Sequence, residues 1–171
     1  MPRKYFRKYL PDPDAVLARP WAAPFRPWLG HPNLWHLNRR SVPGAVAIGL
    51  FAGLVPGPVQ MLTALLLAIP CRKNIPVALI VTLYTNPLTI VPLYLLAYEY
   101  GKLLLGEGGT FVPPFEMSLQ WMLSLGKPLA IGLVALALTL AAFGYVVSAC
   151  AWRAWAVAAW RARARRRKPA A

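Results

Sequence analysis

The sequence predicts an all-α integral membrane protein made of transmembrane helices and of broken or re-entrant helical hairpins. Hydrophobic residues form 58% of the 171-residue chain, and the mean hydropathy is +0.47. The apolar runs at 43–69, 75–100 and 128–151 are longer than those of soluble domains. Prolines interrupt the first two runs, which predicts half-helices there instead of straight spans.

Basic residues are concentrated at the two ends of the chain. Eight of the 19 lie in residues 1–40 and seven in residues 153–168, and the formal net charge is +14. Two basic ends around an apolar centre follow the positive-inside rule, which places both termini in the cytoplasm. Because this layout is the one expected at membrane edges, nucleic acid is not a predicted partner.

Residues 1–40 form a basic, aromatic and proline-rich arm in which no long helix is expected. The arm is predicted to lie on an anionic membrane surface, and an unstructured cytoplasmic arm is the alternative. His31 and His36 have no carboxylate or cysteine beside them, so no metal site is predicted. Cys71 and Cys150 are isolated and are expected to stay reduced. No cleavable signal peptide is predicted.

The first apolar run, 43–69, is predicted to be a re-entrant hairpin. Ser41 and Pro43 have the character of an N-cap and a first turn. The run is broken at Pro56, Gly57 and Pro58 into halves of about a dozen residues, each about 18 Å long and too short to span a bilayer. Small residues recur every four positions and form one face for close helix packing: Ala45, Gly49, Gly53 and Gly57.

The second run, 75–100, is predicted to be a kinked span that begins at Asn74 and Pro76. It breaks at residues 85–89, where Asn86 is expected to cap a second half-helix with Pro87 in its first turn. This order partly repeats that of the first run, and paired interrupted segments mark solute sites in transporters.

The two breaks are therefore predicted to meet in a sheltered polar site at mid-membrane depth. The candidate binding residues are Gln60, Thr63, Thr85, Asn86 and Thr89. Half-helix N-termini at Pro58 and Pro87 would favour an anionic group there. In the alternative interpretation, these side chains only satisfy the broken backbone and hold helices together.

With both ends in the cytoplasm, the number of full crossings must be even. The preferred topology therefore has a kinked span at 75–100, an external loop at 101–127 and a returning span at 128–151. The alternative is a second hairpin at 75–100 with a crossing by 115–127. Residues 152–171 form a tryptophan- and arginine-rich tail expected to anchor to anionic headgroups.

No catalytic or cofactor-binding constellation is found, so the sequence predicts a non-enzyme without cofactor or metal. Glu99 is the only acid within a predicted span. It is interpreted either as a proton or cation relay or as a headgroup-level residue that pairs with Lys102.

Three separated motifs occur in order: Trp35–Ser41, Ala47–Met61, and Asn86–Thr89 followed by Pro92 and Tyr94. Together they resemble a bacterial inner-membrane family catalogued as domain of unknown function 2062, over residues 1–150. The resemblance implies an integral inner-membrane domain, sometimes fused to glycosyltransferases, with no established activity.

The leading functional hypothesis is a transporter-like protein whose mid-membrane polar site serves a small solute or a lipid headgroup. So few spans do not enclose a pathway alone, which predicts a homo-oligomer. The alternative hypothesis is a non-transporting scaffold that anchors an envelope-building enzyme. In both, the predicted partners are the lipid membrane and its anionic headgroups.

Overall fold

Five α-helices and one short 3-10 helix form the part of the chain that the computed structural model describes, which is residues 29–57, 59–106 and 126–166. This part contains no β-strand. The 3-10 helix covers Pro32–Leu34. The α-helices are α1 (Val42–Gly53), α2 (Val59–Ala68), α3 (Ile75–Thr82), α4 (Ile90–Leu105) and α5 (Gly126–Arg166).

Several predicted features lie outside the described residues. These are the arm up to residue 28, Pro58 of the first break, the centre of the 101–127 loop and the last residues of the tail. The predicted span at 128–151 lies within α5, which is 41 residues long and continues into the tryptophan- and arginine-rich tail.

Helix α1 begins at the predicted position, with Ser41 as its N-cap residue and Pro43 in its first turn, but the cap bond itself is made differently. The Ser41 side chain makes no cap bond and its hydroxyl donates to the carbonyl oxygen of His36 at 2.9 Å. Asn38 orders this turn, because its Oδ1 accepts from the backbone N–H groups of Arg40 at 2.9 Å and Ser41 at 2.8 Å. Asn side chains that bond their own downstream backbone compete with serine for this role.

Helix α3 begins as predicted. Asn74 Oδ1 accepts from the backbone N–H of Val77 at 3.0 Å, and Pro76 occupies the first turn. Asn74 is fully buried, and its Nδ2 has no hydrogen-bond partner within the described residues.

Helices α1 and α3 run parallel in close contact. Along α1, Gly44 faces the Lys73 side chain, Gly49 faces Ala78 and Val81, and Gly53 faces Tyr84. A Cβ at Gly49 would lie 2.6 Å from the Ala78 carbonyl oxygen, so the backbones approach closely only because this residue is glycine. The predicted small-residue face is thus confirmed from Ala45 to Gly53.

Helix α2 returns beside α1 and α3. It packs against both helices, and Ala68 near its end joins a buried cluster with Ala45 and Ile75, which lie at the start of α1 and α3. The same cluster contains Leu29 and Leu34 from the segment before α1. The end of α2 therefore lies near the beginning of α1, and Gly57, with φ +66°, lies in the turn between the two helices.

Helix α5 runs antiparallel to α1 and α4 and contacts both extensively. Against α4, Gly132 packs on the Ala97 carbonyl and Gly101 packs on the Pro128 carbonyl. Against α1, Gly144 packs on Leu50. Gly144, which packs on α1 near its end, and Gly132, which packs on α4, are about 18 Å apart along α5 at 1.5 Å per residue. Helix α4 therefore extends along α5 well past the end of α1.

Candidate functional site

The two helix breaks meet at Thr85, which is 7% exposed. Its Oγ1 lies 2.7 Å from the Gly53 carbonyl oxygen, 3.0 Å from the Thr82 carbonyl oxygen and 3.0 Å from Gln60 Oε1. The hydroxyl has one proton to donate, to one of the carbonyls, and a Gln60 amide turned by 180° would donate its N–H to the same oxygen. Gln60 and Thr85 are the two predicted site residues that the fold brings together.

Two tyrosines complete this contact between the breaks. The Tyr84 hydroxyl donates to the Leu50 carbonyl at 2.8 Å, and the Tyr94 hydroxyl donates to the Leu54 carbonyl at 3.1 Å. The last carbonyls of a helix have no partner within the helix, so the two tyrosines and Thr85 bond to carbonyls at the end of α1. Tyr84 is in none of the sequence motifs and Tyr94 occurs only in the family resemblance, although a buried tyrosine hydroxyl usually finds a partner.

Asn86 and Thr89 order the turn before α4, which begins three residues later than predicted. The helix starts at Ile90 with Thr89 at its N-cap position and no side-chain cap bond, so Pro87 lies in the turn and not in the helix. Asn86 Oδ1 accepts from the backbone N–H groups of Leu88 at 2.9 Å and Thr89 at 3.0 Å. The Thr89 hydroxyl donates to the Tyr84 carbonyl at 2.6 Å and accepts from the Asn86 N–H at 3.0 Å. The outer face of this turn is exposed, with Leu88 at 84%. These side chains therefore bond the local backbone.

Thr63 does not join this group, because its hydroxyl donates to the Val59 carbonyl of its own helix at 2.9 Å. Pro56 and Gly57 are exposed at the first break.

Glu99 lies near the far end of α4 and pairs with Lys102. The Lys102 ammonium is 3.1 Å from both Glu99 oxygens and 5.3 Å from the centre of the Tyr98 ring. The Glu99 side chain is 53% exposed, whereas that of Lys102 is buried. Glu99 thus forms the pair with Lys102 that one of the two interpretations expects.

The opposite end of the helices is basic. Arg39, Arg40 and Arg72 are exposed, and the Lys73 ammonium donates to the Arg40 carbonyl at 3.0 Å, which joins the starts of α1 and α3. Trp35 supports this end, because its indole N–H donates to the Leu29 carbonyl at 2.7 Å. We refer to Arg39, Arg40 and Arg72 as the basic end.

The described residues contain no group of three or more His, Cys, Asp or Glu side chains placed to hold a metal ion. His31 Nδ1 accepts from the Asn33 N–H at 3.1 Å within its own turn. Cys71 and Cys150 are both free and exposed.

The described part of the protein is all-helical. One of its helices is long and apolar enough to cross a membrane, namely α5 over Gly126–Arg163, whose most apolar stretch has a mean hydropathy of 2.3. The chain belongs to the bacterial family DUF2062, described as uncharacterized proteins conserved in bacteria, whose model matches residues 22–161. No curated protein and no solved structure matches the chain.

Proposed function

We propose that this chain is an integral inner-membrane protein, without enzymatic activity, that serves as a membrane scaffold with a basic cytoplasmic face. In this arrangement, α1 and α2 form a re-entrant hairpin entered from the cytoplasm. Helices α3 and α4 form a kinked span, α5 is the second span, and both termini are cytoplasmic.

The distribution of charge along the helices carries this proposal. Lys73 lies with the three arginines of the basic end at one end of the bundle. Glu99, Lys102 and Lys127 lie at the opposite end. Between Lys127 and Arg153, α5 has no charged residue, which is a length of about 39 Å at 1.5 Å per residue. A hydrocarbon core is about 30 Å thick, so this uncharged belt is long enough to cross it.

Exposure within the belt supports a membrane setting over a soluble core helix. Only 22% of the most apolar stretch of α5 is buried inside the protein. The exposed side chains there include Ile131, Val134, Leu138, Phe143 and Val146. A continuous apolar surface of this kind is unfavourable in water and is the normal exterior of a protein in lipid.

The bonding at the hairpin tip supports its depth in the membrane. Helices α1 and α2 have 12 and 10 residues, too few to cross the core singly. Backbone carbonyls exposed to hydrocarbon each cost several kcal/mol, and Tyr84, Thr85 and Tyr94 bond to the carbonyls where α1 ends.

The contacts of α3 and α4 favour a kinked span over a second hairpin. Helix α3 packs on α1 and α2, whereas α4 packs on α5, and the two hardly contact each other. A hairpin would pair them along their length. With this topology, the basic end, both termini and Cys71 share the cytoplasmic side, as the positive-inside rule requires.

A scaffold is favoured over a transporter because the polar groups at the breaks bond to the protein itself. Thr85, Asn86 and Thr89 are engaged with backbone groups of α1 and of their own turn. The basic end, in contrast, is exposed and positively charged, which suits anionic headgroups or an acidic partner surface.

Transport of a small solute or lipid headgroup by a homo-oligomer is the second candidate function. The contact between Gln60 and Thr85 favours it, because this pair links the two breaks through side chains alone. A solute that replaced Gln60 as the partner of Thr85 would enter between the breaks without removing the bond from Thr85 to the Gly53 carbonyl.

A comparison of variants in a strain lacking the chromosomal gene tests the two functions. We expect Arg39→Gln, Arg40→Gln and Arg72→Gln combined to abolish complementation of the growth defect of that strain under envelope stress, and Gln60→Leu to retain it. Thr63→Val is the matched control for Gln60→Leu, since Thr63 bonds only its own helix. Membrane levels are measured by immunoblot. Loss of complementation by Gln60→Leu alone, at normal levels, would overturn the scaffold in favour of transport.

A further inference from the structure

A groove between α1, α2 and α5 is lined only by apolar atoms. Its cavity volume is about 290 Å³, and its lining residues are Ala47, Ile48, Phe51, Leu67, Cys71 and Ala141. Ala47, Ile48 and Phe51 come from α1, Leu67 from α2, Cys71 from the turn after α2 and Ala141 from α5. Because five of these six belong to the proposed re-entrant hairpin and the turn that follows it, the groove lies in the cytoplasmic half of the bilayer in the proposed membrane placement.

The groove ends at the basic end. Cys71 lines the groove, and the next residue, Arg72, is exposed. Lys73 bonds the Arg40 carbonyl at 3.0 Å, which places Arg40 beside the same turn. The N-termini of α1 and α3 lie at this end together with the C-terminal end of α2, so the helix ends contribute partial charges of both signs and the net positive charge comes from the arginines. The apolar groove thus ends at a turn that carries Arg72, with Arg40 on the neighbouring turn.

We propose that this groove holds one acyl chain of an anionic phospholipid, whose phosphate-bearing headgroup is bound by Arg72 with Arg40. The chain would lie against Ala47, Leu67 and Ala141, where no polar atom is available to bond. Arginine suits the headgroup, because its planar fork bonds two phosphate oxygens at once. The inference rests on the proposed membrane placement of α1 and α2.

Charge selects an anionic headgroup over a zwitterionic one. Each arginine near the surface contributes about 1 kcal/mol toward anionic lipid, which is about a fivefold preference. Phosphatidylcholine has the same phosphate and the same chains but no net charge. It therefore serves as the matched competitor.

The test is native mass spectrometry of the full chain purified from vesicles with equal amounts of phosphatidylglycerol and phosphatidylcholine with identical acyl chains. We expect the unmodified protein to retain phosphatidylglycerol at least about fivefold over phosphatidylcholine. Ala141→Phe fills the groove and should lose both lipids, whereas Ala142→Phe, on the exposed neighbouring position, should retain them. Arg72→Gln should lower the preference about fivefold, and Lys127→Gln, at the opposite end of the bundle from the groove, should leave it unchanged.

A second measurement needs no substitution. Cys71 lines the groove, whereas Cys150 is exposed on α5 and is not among the lining residues. We expect phosphatidylglycerol vesicles to slow alkylation of Cys71 by N-ethylmaleimide several-fold relative to phosphatidylcholine vesicles, with Cys150 unaffected.

Equal retention of both lipids, equal behaviour of Ala141→Phe and Ala142→Phe, or a dimer without bound lipid would overturn the inference. Extraction of the protein from membranes by alkaline carbonate would overturn the proposed function instead. An integral protein without lipid preference would therefore contradict the lipid site alone.

Discussion

The Thr85 hydroxyl oxygen lies 2.7 Å from the carbonyl oxygen of Gly53, 32 positions earlier in the chain. This contact joins the break after α1 to the break before α4. The Gly53 carbonyl belongs to the last turn of α1 and has no partner within its helix. Because Thr85 is buried, no water replaces the bond when the hydroxyl is removed.

Thr85→Val is therefore expected to lower the free energy of unfolding by about 1–2 kcal/mol, since it leaves buried acceptors unpaired. Thr63→Val should change it by less than about 0.5 kcal/mol, because the Thr63 bond is local to α2. Unfolding in mixed micelles, titrated with dodecyl sulfate and followed by tryptophan fluorescence, measures both. Equal changes for Thr85→Val and Thr63→Val would show that the link between the two breaks does not stabilise the folded protein.

Gly132→Ala is expected to lower the free energy of unfolding by about 1–3 kcal/mol, because its Cβ would overlap the Ala97 carbonyl and push α4 away from α5. Backbone cannot move aside as a side chain can. Gly144→Ala meets side-chain atoms of Leu50 and Val46 and no backbone atom, and because the end of the Leu50 side chain can move aside, we expect a change within about 0.5 kcal/mol. The same micelle titration compares them, and a tolerated alanine at Gly132 would contradict the close α4 and α5 contact.

Arg72→Gly is expected to raise the free energy of unfolding by about 0.5–1 kcal/mol. Arg72 has φ 52° in the turn that follows α2, four positions after Ala68, where its N–H bonds the Ile69 carbonyl and the Lys73 N–H bonds the Ala68 carbonyl. The residue that adopts the left-handed conformation after a helix is normally glycine, because any residue with a Cβ is destabilised in that conformation by about 1–2 kcal/mol. Glycine recovers that cost but gives the unfolded chain about 0.4–1 kcal/mol more entropy.

The neighbouring residue Cys71 does not have a positive φ, so Cys71→Gly relieves no strain and only increases the conformational entropy of the unfolded chain. It should therefore lower the free energy of unfolding by about 0.4–1 kcal/mol. Opposite signs for the two variants are the expected result in the same titration. If both destabilise equally, the left-handed turn at Arg72 is absent in solution. A stabilised Arg72→Gly protein that fails to complement would show that the guanidinium is needed for function and not for folding.

Cysteine labelling tests the topology directly. A membrane-impermeant maleimide should label Cys71 in inside-out vesicles and not in spheroplasts, because the proposed hairpin returns to the cytoplasm. Lys127→Cys, in a chain with Cys71→Ser and Cys150→Ser, should show the opposite pattern, since Lys127 lies at the far end of the belt. Labelling of Cys71 from outside would mean that 43–69 spans fully and would end the re-entrant proposal.

Local chemistry was readable from the sequence. The N-cap at Asn74, the start of α1 after Ser41 and the small-residue face of α1 each depend on residues within a few positions of one another. The sequence does not reveal which side chain bonds the first turn of α1, because Asn38 and Ser41 are both suitable and only the backbone path decides. The start of α4 was predicted three residues too early, since Asn86 orders a turn that precedes the helix. Thr63 was grouped with Gln60 for a similar reason, since polarity near a break does not reveal whether a hydroxyl bonds its own helix.

The sequence by itself determined the helical class, the uncharged belt and the positions of the two breaks, because apolar runs and prolines act locally. Only the tertiary structure decided that α2 turns back while α4 continues along α5. That difference depends on contacts far apart in the chain, above all Gly49 on Ala78 and Gly132 on Ala97. The structure also selected Tyr84 and Tyr94 as partners of α1, since a hydroxyl is assigned to a distant carbonyl by packing and not by its neighbours in sequence.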